Sequence, residues 1–294
     1  MAAKSIARRK PTGLARVFQV QNLRTLSQFF FAGFILYTAI VHRIVGEGGS
    51  TMTASAEAYC PFGGIEGLYK YVTSGGASFL QHTHLSNIVV LLAVLLTAVL
   101  TKSAFCGWIC PFGAVQEWIG NLSAWLQRRF SFVKRGVAAV RNLGAPLVKL
   151  ERWLRYFKYV VLALIVYGTI TSGIMIFRDY DPYAALLNLV ELSFGLGTVV
   201  LAVTLVASFF TERPWCKYAC PLGAIVGLVG KVAPIKIERD AALCINCKLC
   251  DKKCPLNVSV STARRVNSME CNNCLICTEV CPKAGALELK LGIG

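Results

Sequence analysis

Charge is scarce in this chain of 294 residues, at 16% Asp, Glu, Lys and Arg, against roughly 25% in soluble globular domains. With 55% hydrophobic residues, a purely soluble protein is excluded as the default. Negative charge is scarcer still, 15 acids against 31 bases. Histidine is rarest, at three. With His42 beside a long apolar stretch and His82 and His84 together in a connection, no pair of transmembrane histidines is available for a b-type haem. A glycine-rich phosphate loop ahead of a helix is also missing, so nothing supports a tightly held flavin or NAD site.

What the chain has instead is long apolar runs. Four lie between Arg24 and Arg43, Lys70 and Lys102 (apolar from about Asn87), Lys158 and Arg178, and Glu191 and Glu212. Each is long enough for a membrane helix, which takes about 20 residues. The first follows a basic arm and lacks a small-residue cleavage pattern, so it is expected to be a retained anchor rather than a signal peptide.

The basic residues then orient the spans. Segment 1–24 holds six Lys or Arg, connection 102–158 ten and segment 211–294 twelve, which places 28 of the 31 on one side. The positive-inside rule puts both termini and the middle connection in the cytoplasm. The expectation is a multi-pass protein of the cytoplasmic (inner) membrane. Topology thereby accounts for the basic excess, and a nucleic-acid partner is not expected.

An internal repeat organises the spans. Residues 101–120 (TKSAFCGWICPFGAVQEWIG) align without a gap on 211–230 (TERPWCKYACPLGAIVGLVG), sharing Thr, both Cys, Pro, two Gly and one Ala. Two hairpins, each ending in Cys-x-x-x-Cys-Pro-x-Gly-Ala, read as one duplicated unit of parallel orientation. On the opposite face Tyr59-Cys60-Pro61-Phe62 echoes Tyr180-Asp181-Pro182-Tyr183, which sets Cys60 opposite Asp181. After the first Cys pair, Val115, Trp118, Ile119, Leu122, Trp125 and Leu126 follow helical spacing, the mark of an amphipathic helix at a membrane interface or on the bundle surface.

Thirteen cysteines in a long apolar chain suit metal or cluster ligation better than a disulfide framework. Cys244, Cys247, Cys250 and Cys254-Pro255 are spaced x2, x2, x3, and Cys271, Cys274, Cys277 and Cys281-Pro282 repeat that spacing. In two-cluster ferredoxins three close thiolates hold one [4Fe-4S] cube and the fourth crosses to the other. The assignment is Cys244, Cys247, Cys250 and Cys281 for cluster 1, and Cys271, Cys274, Cys277 and Cys254 for cluster 2. A zinc module is the plain alternative, since thiolate tetrads also bind zinc.

For Cys106, Cys110, Cys216 and Cys220 three readings stand open. At i and i+4 two thiols can share a helix face, and a pseudo-twofold axis would gather four soft ligands around a third iron-sulfur or metal centre. A cycling thiol/disulfide couple is the second reading, and cysteines packed beside Pro and Gly the third. On the outer face His42, Cys60 and Asp181 are candidates for a quinone or metal site, because ionisable groups at the bilayer are functional candidates.

Ordered this way, these motifs resemble the membrane polyferredoxin family, and within it the quinol dehydrogenase subunits of periplasmic nitrate reduction (the NapH type), with relatives in nitrous oxide respiration and copper-enzyme maturation. The resemblance covers residues of about 20 to 285 and implies electron transfer between the membrane quinone pool and other redox subunits. An appended flavin-bearing or periplasmic domain is not seen, which points away from the nitrous oxide branch.

The expected fold is an all-α transmembrane bundle of four helices in two repeated hairpins, plus a small α+β two-cluster ferredoxin domain. Its parts are a basic arm (1–24), a membrane domain (25–235) and a ferredoxin domain (236–294). The expected function is that of an oxidoreductase subunit, an iron-sulfur electron carrier linking quinone to a redox partner. The competing reading is a maturation factor whose Cys-Pro pairs reduce a metal ion or a disulfide.

Overall fold

A computed structural model of the chain describes residues 19–45, 61–73, 82–143, 151, 153–172, 177, 180–191 and 195–292. The chain divides into two compact units, one of Met1–Phe31, Leu95–Cys110 and Ile225–Gly294, the other of Ala32–Val94 and Pro111–Ala224.

Each of the four apolar windows contains a helix: α1 (Val20–Val45), α3 (His82–Thr101), α7 (Phe157–Ser172) and α9 (Leu196–Phe210), with α2 (Pro61–Thr73) following α1. Among the described residues one helix, over Val20–Val41, is by itself long and apolar enough to cross a membrane. Described lengths of the other three are 20, 16 and 15 residues.

In the second unit the helices are built inside out. On α9 the buried positions are Gly197, Leu201, Thr204 and Ser208, while Leu196, Val199, Val203 and Val206 are exposed. Small and hydroxyl residues on the inner face let backbones approach closely. The Ser123 hydroxyl of α5 (Pro111–Arg129) donates to the Phe209 carbonyl at 2.6 Å, locking α5 against α9. A similar outward display of Val160, Leu164, Tyr167 and Ile170 marks α7. On α5 the buried side includes Phe112, Gln116 and Ser123, and Leu122 and Trp125 of the expected amphipathic stripe are exposed.

Short helix α8 (Pro182–Glu191) packs on α9. Its start is explained locally: Asp181 accepts the Tyr183 amide on Oδ1 at 2.9 Å and Pro182 follows at the first helical position, the arrangement that satisfies free amides at a helix N-terminus.

The two repeats fold alike at the residue level. Helix α4 (Ala104–Trp108) is followed by Cys110 and then by α5, and α10 (Pro214–Tyr218) by Cys220 and then by α11 (Pro221–Val229). The amides of Ile109 and Cys110 both donate to the Phe105 carbonyl, and those of Ala219 and Cys220 to the Trp215 carbonyl. The two thiols of a pair therefore do not share one helix face. Pro111 and Pro221 disfavour helical backbone in the residue before them, so each pair straddles a break, with its second Cys at the start of a new helix.

In the first unit β1 (Ile235–Arg239) and β2 (Leu287–Leu291) pair antiparallel, with Ile237 opposite Leu289. Between them lie α12 (Leu249–Lys252) and α13 (Ile276–Val280). A core of Ile237, Leu256, Val258, Val260, Val266 and Leu287 forms around the cysteines.

Candidate iron-sulfur centres

The two Cys-x-x-Cys-x-x-Cys loops repeat an unusual backbone. Asn246 and Lys248 flank Cys247 with φ of 53° and 55°, and Asn273 and Leu275 flank Cys274 with φ of 47° and 59°. Left-handed backbone is unfavourable for these residue types, least so for Asn, and clusters where a ligand site demands it. The Asn before each central cysteine was a signal visible in the sequence but not used. The left-handed residue after each ends in a short helix, α12 carrying Cys250 and α13 carrying Cys277.

Cys244, Cys247, Cys250 and Cys281 line one cavity, with Arg239, Lys248 and Lys283 around it. Cys247 is exposed and Cys250 buried. Burial, reinforced by the Asp251 carboxylate, pushes the Cys250 thiol up to about 11. Slight burial of Cys244 is outweighed by the Asn246 amide and the Arg239 guanidinium, which hold that thiol below its usual range. Asp251 braces the loop: burial opposes its charge, but the Ser261 hydroxyl and the amides of Ser261 and Val260 keep its carboxyl below the usual carboxylate range.

The other set is deeper. Cys271, Cys274 and Cys277 are buried and Cys254 half-buried. Burial, then the neighbouring thiols of Cys274, Cys271 and Cys254, drive the Cys277 thiol upward. The Cys254 sulfur accepts the Val258 amide at 3.3 Å.

This second loop is clamped by elements far away in sequence. The Asn273 side chain donates to the Thr101 carbonyl at 2.7 Å, and the Trp108 indole donates to the Asn273 carbonyl at 3.0 Å. Gln21 of α1 donates to the Cys274 carbonyl at 2.8 Å. The Gly107 carbonyl, between Cys106 and Cys110, accepts from both Arg24 and Gln28 at 3.0 Å. Sequence reasoning missed this clamp, because its partners lie 79 to 253 residues apart.

In the second unit Gln116, fully buried, donates to the Cys216 sulfur at 3.6 Å while its own oxygen accepts the Trp215 amide at 3.2 Å. Buried Arg213 is ion-paired with Glu117. Burial pushes the Cys216 thiol up, against the pull of Arg213, the Gln116 hydrogen bond and Lys158. Cys220, at the start of α11, accepts the Gly223 amide at 3.3 Å.

At the outer-face candidates, Asp181 is buried and caps α8 as described. Cys60 lies outside the described residues, as does the side chain of His42.

Comparison with known proteins adds an independent line. A family described as "4Fe-4S binding domain" matches twice, over residues 83–132 and 194–239, so each Cys-Pro repeat is matched separately. A second, described as "4Fe-4S dicluster domain", matches residues 236–282. Among curated relatives, the protein YccM of Escherichia coli (strain K12) is 32% identical over 80% of this chain and 63% of its own. The ferredoxin-type protein NapH of Haemophilus influenzae is 33% identical over 61% of this chain and 58% of its own. The methylamine utilization ferredoxin-type protein MauN of Methylorubrum extorquens is 28% identical over 82% and 77%.

The relatives and the two 4Fe-4S family matches together support a membrane-associated polyferredoxin family resembling NapH. The chain spans under two thirds of the length of YccM and of NapH. No solved structure matches the chain.

The residues present fit the cofactor class that the family descriptions name. Buried thiols such as Cys271 and Cys277, raised by desolvation, ionise only against a neutralising cation, which iron supplies.

Proposed function

We propose that this polyferredoxin is an integral membrane electron-transfer subunit of the quinol dehydrogenase type. In this reading Cys244, Cys247, Cys250 and Cys281 hold one [4Fe-4S] cluster, and Cys254, Cys271, Cys274 and Cys277 the second. Cys106, Cys110, Cys216 and Cys220 hold a third centre. The observation that carries it is the double match of a 4Fe-4S binding family to the two membrane repeats, beside the dicluster match to the following segment. The clusters, when bound, supply one-electron storage, at potentials set by ligation, burial and hydrogen bonds to sulfur.

The protein's own residues do the rest. The Gln116 and Gly223 N–H groups donate to the sulfurs of Cys216 and Cys220, stabilising thiolate charge. The loop around exposed Cys247, with Lys248 and Lys283 beside it, offers an open face to a redox partner. Four spans, α1, α3, α7 and α9, cross the cytoplasmic membrane with both termini inside. Two observations support this topology: 28 of 31 basic residues fall on one side, and large apolar side chains of α3, α7 and α9 are exposed in the isolated chain, a surface suited to lipid. The parts are then the arm 1–24, the membrane domain 25–235 and the ferredoxin domain 236–294. At the outer face His42, Cys60 and Asp181 take up the protons of quinol.

Anaerobic membranes test the proposal. Adding quinol is expected to generate the reduced-cluster electron paramagnetic resonance (EPR) signal that dithionite generates. Clusters that respond to dithionite but stay oxidised under quinol would favour the maturation reading, in which the Cys-Pro pairs act on a metal ion or a disulfide.

A further inference from the structure

Lys102 follows α3 in left-handed backbone, with φ of 61°, and is only 1% exposed. Its ammonium donates to the carbonyl oxygens of Val266 and Ser268, each at 2.9 Å. The Ser268 carbonyl also accepts the Cys271 amide at 3.2 Å. One shared oxygen thus joins the ammonium to the backbone of Cys271.

The surroundings of this cation are unbalanced. Burial works against its charge and holds its pKa below the usual lysine range, Cys271 attracts it, and Lys236 and Arg265 repel it. Among the described residues no carboxylate pairs with Lys102, whereas the equally buried Arg213 has Glu117. A buried ammonium held by neutral carbonyls is costly unless a negative charge answers it. The group that attracts this ammonium is the Cys271 thiolate. Gly230 completes the seat, since a Cβ there would lie 2.9 Å from the Lys102 Cα.

We propose that Lys102 is a positioning residue that sets the reduction potential of the cluster held by Cys254, Cys271, Cys274 and Cys277. Its fixed positive charge beside Cys271 favours the state carrying one more electron and so raises the potential of that cluster above what the same ligands would give alone. The step adds one electron, from quinol in the proposed function or from dithionite in the test, and breaks no bond. This inference rests on the ligand assignment above.

The test is a dithionite titration of the purified full-length protein, followed by EPR, with iron and sulfide assayed on each sample. Lys102→Gln keeps N–H donors but loses the charge, and Lys102→Arg keeps the charge. In the Gln variant one midpoint is expected to fall and the other to stay, at parental iron content, and in the Arg variant both stay parental. Loss of about four irons from the Gln variant alone overturns the proposal as stated, because the charge would then be needed to hold the cluster rather than to set its potential. Unmoved midpoints in a fully loaded Gln variant overturn the proposal. So does equal cluster loss in both variants, which would make Lys102 a packing residue. A parent protein without two tail clusters would instead defeat the ligand assignment itself, and the inference with it.

Discussion

Glycine at 107 is expected to be indispensable for a reason the structure makes quantitative. A Cβ at this position would stand 2.8 Å from the Asn272 carbonyl oxygen and 3.3 Å from its side-chain nitrogen. Neither side can yield easily, because the Gly107 carbonyl is held by Arg24 and Gln28 and the Asn273 that follows Asn272 is held by Thr101 and Trp108. Overpacking of this kind costs about 1–3 kcal/mol, while Gly→Ala in a helix returns up to about 1 kcal/mol. Gly136, on α6 (Ser131–Leu143), has nothing within 4 Å of such a Cβ, so Gly136→Ala receives the gain without the clash. The stability difference between the two variants is then the clash, about 1–3 kcal/mol, or about 2–4 °C in unfolding temperature per kcal/mol at this chain size. Thermal unfolding in detergent measures it, and bleaching of visible cluster absorbance reports whether the Cys271–Cys274 loop loosens first. Equal unfolding temperatures for Gly107→Ala and Gly136→Ala would refute the close approach of the two loops.

Three further outcomes are expected. Arg213→Met removes the cation of a buried ion pair and should cost about 3 kcal/mol, most of it regained in Arg213→Met/Glu117→Gln, as a double-mutant cycle would measure. Asp251 has a folded pKa below its unfolded one, so its stabilising effect is present above the unfolded carboxylate range and is lost as pH falls through the folded value. Asp251→Asn should therefore lose cluster absorbance faster than the parent at pH 7, with the gap closing below pH about 4. At Asp181, Asn preserves the helix cap and Ala removes it at about 1 kcal/mol. If the carboxylate carries quinol protons both variants slow quinol-driven cluster reduction, and a defect confined to Ala would make the residue a cap alone.

The main elements were legible because they rest on local pattern. Uncharged windows gave α1, α3, α7 and α9, and the Cys-Pro repeat gave two loops with the same backbone hydrogen bonds at Phe105 and Trp215. Cys244, Cys247, Cys250 and Cys281 line one cavity, the grouping that the spacing with a fourth-cysteine crossover leads one to expect. The Cys106/Cys110 geometry was misread as one helix face, although Pro111 carried the contrary signal. What stayed hidden is long-range. Lys102 looks like an ordinary cation ending a span until Val266 and Ser268, over 160 residues later, fold onto it. Gly107 looks like a loop glycine until Asn272 is placed against it. No periodicity encodes such meetings.

Iron and acid-labile sulfide counts on the purified full-length chain, beside a variant with Ser at 106, 110, 216 and 220, test the central claim most directly. The account predicts about eight irons from the two dicluster-segment sites in both proteins, and about two to four more in the parent alone. Equal iron in parent and variant, with a titratable disulfide in the parent, would contradict the membrane centre. Fewer than about eight irons in both, with zinc in their place, would contradict the iron-sulfur account as a whole.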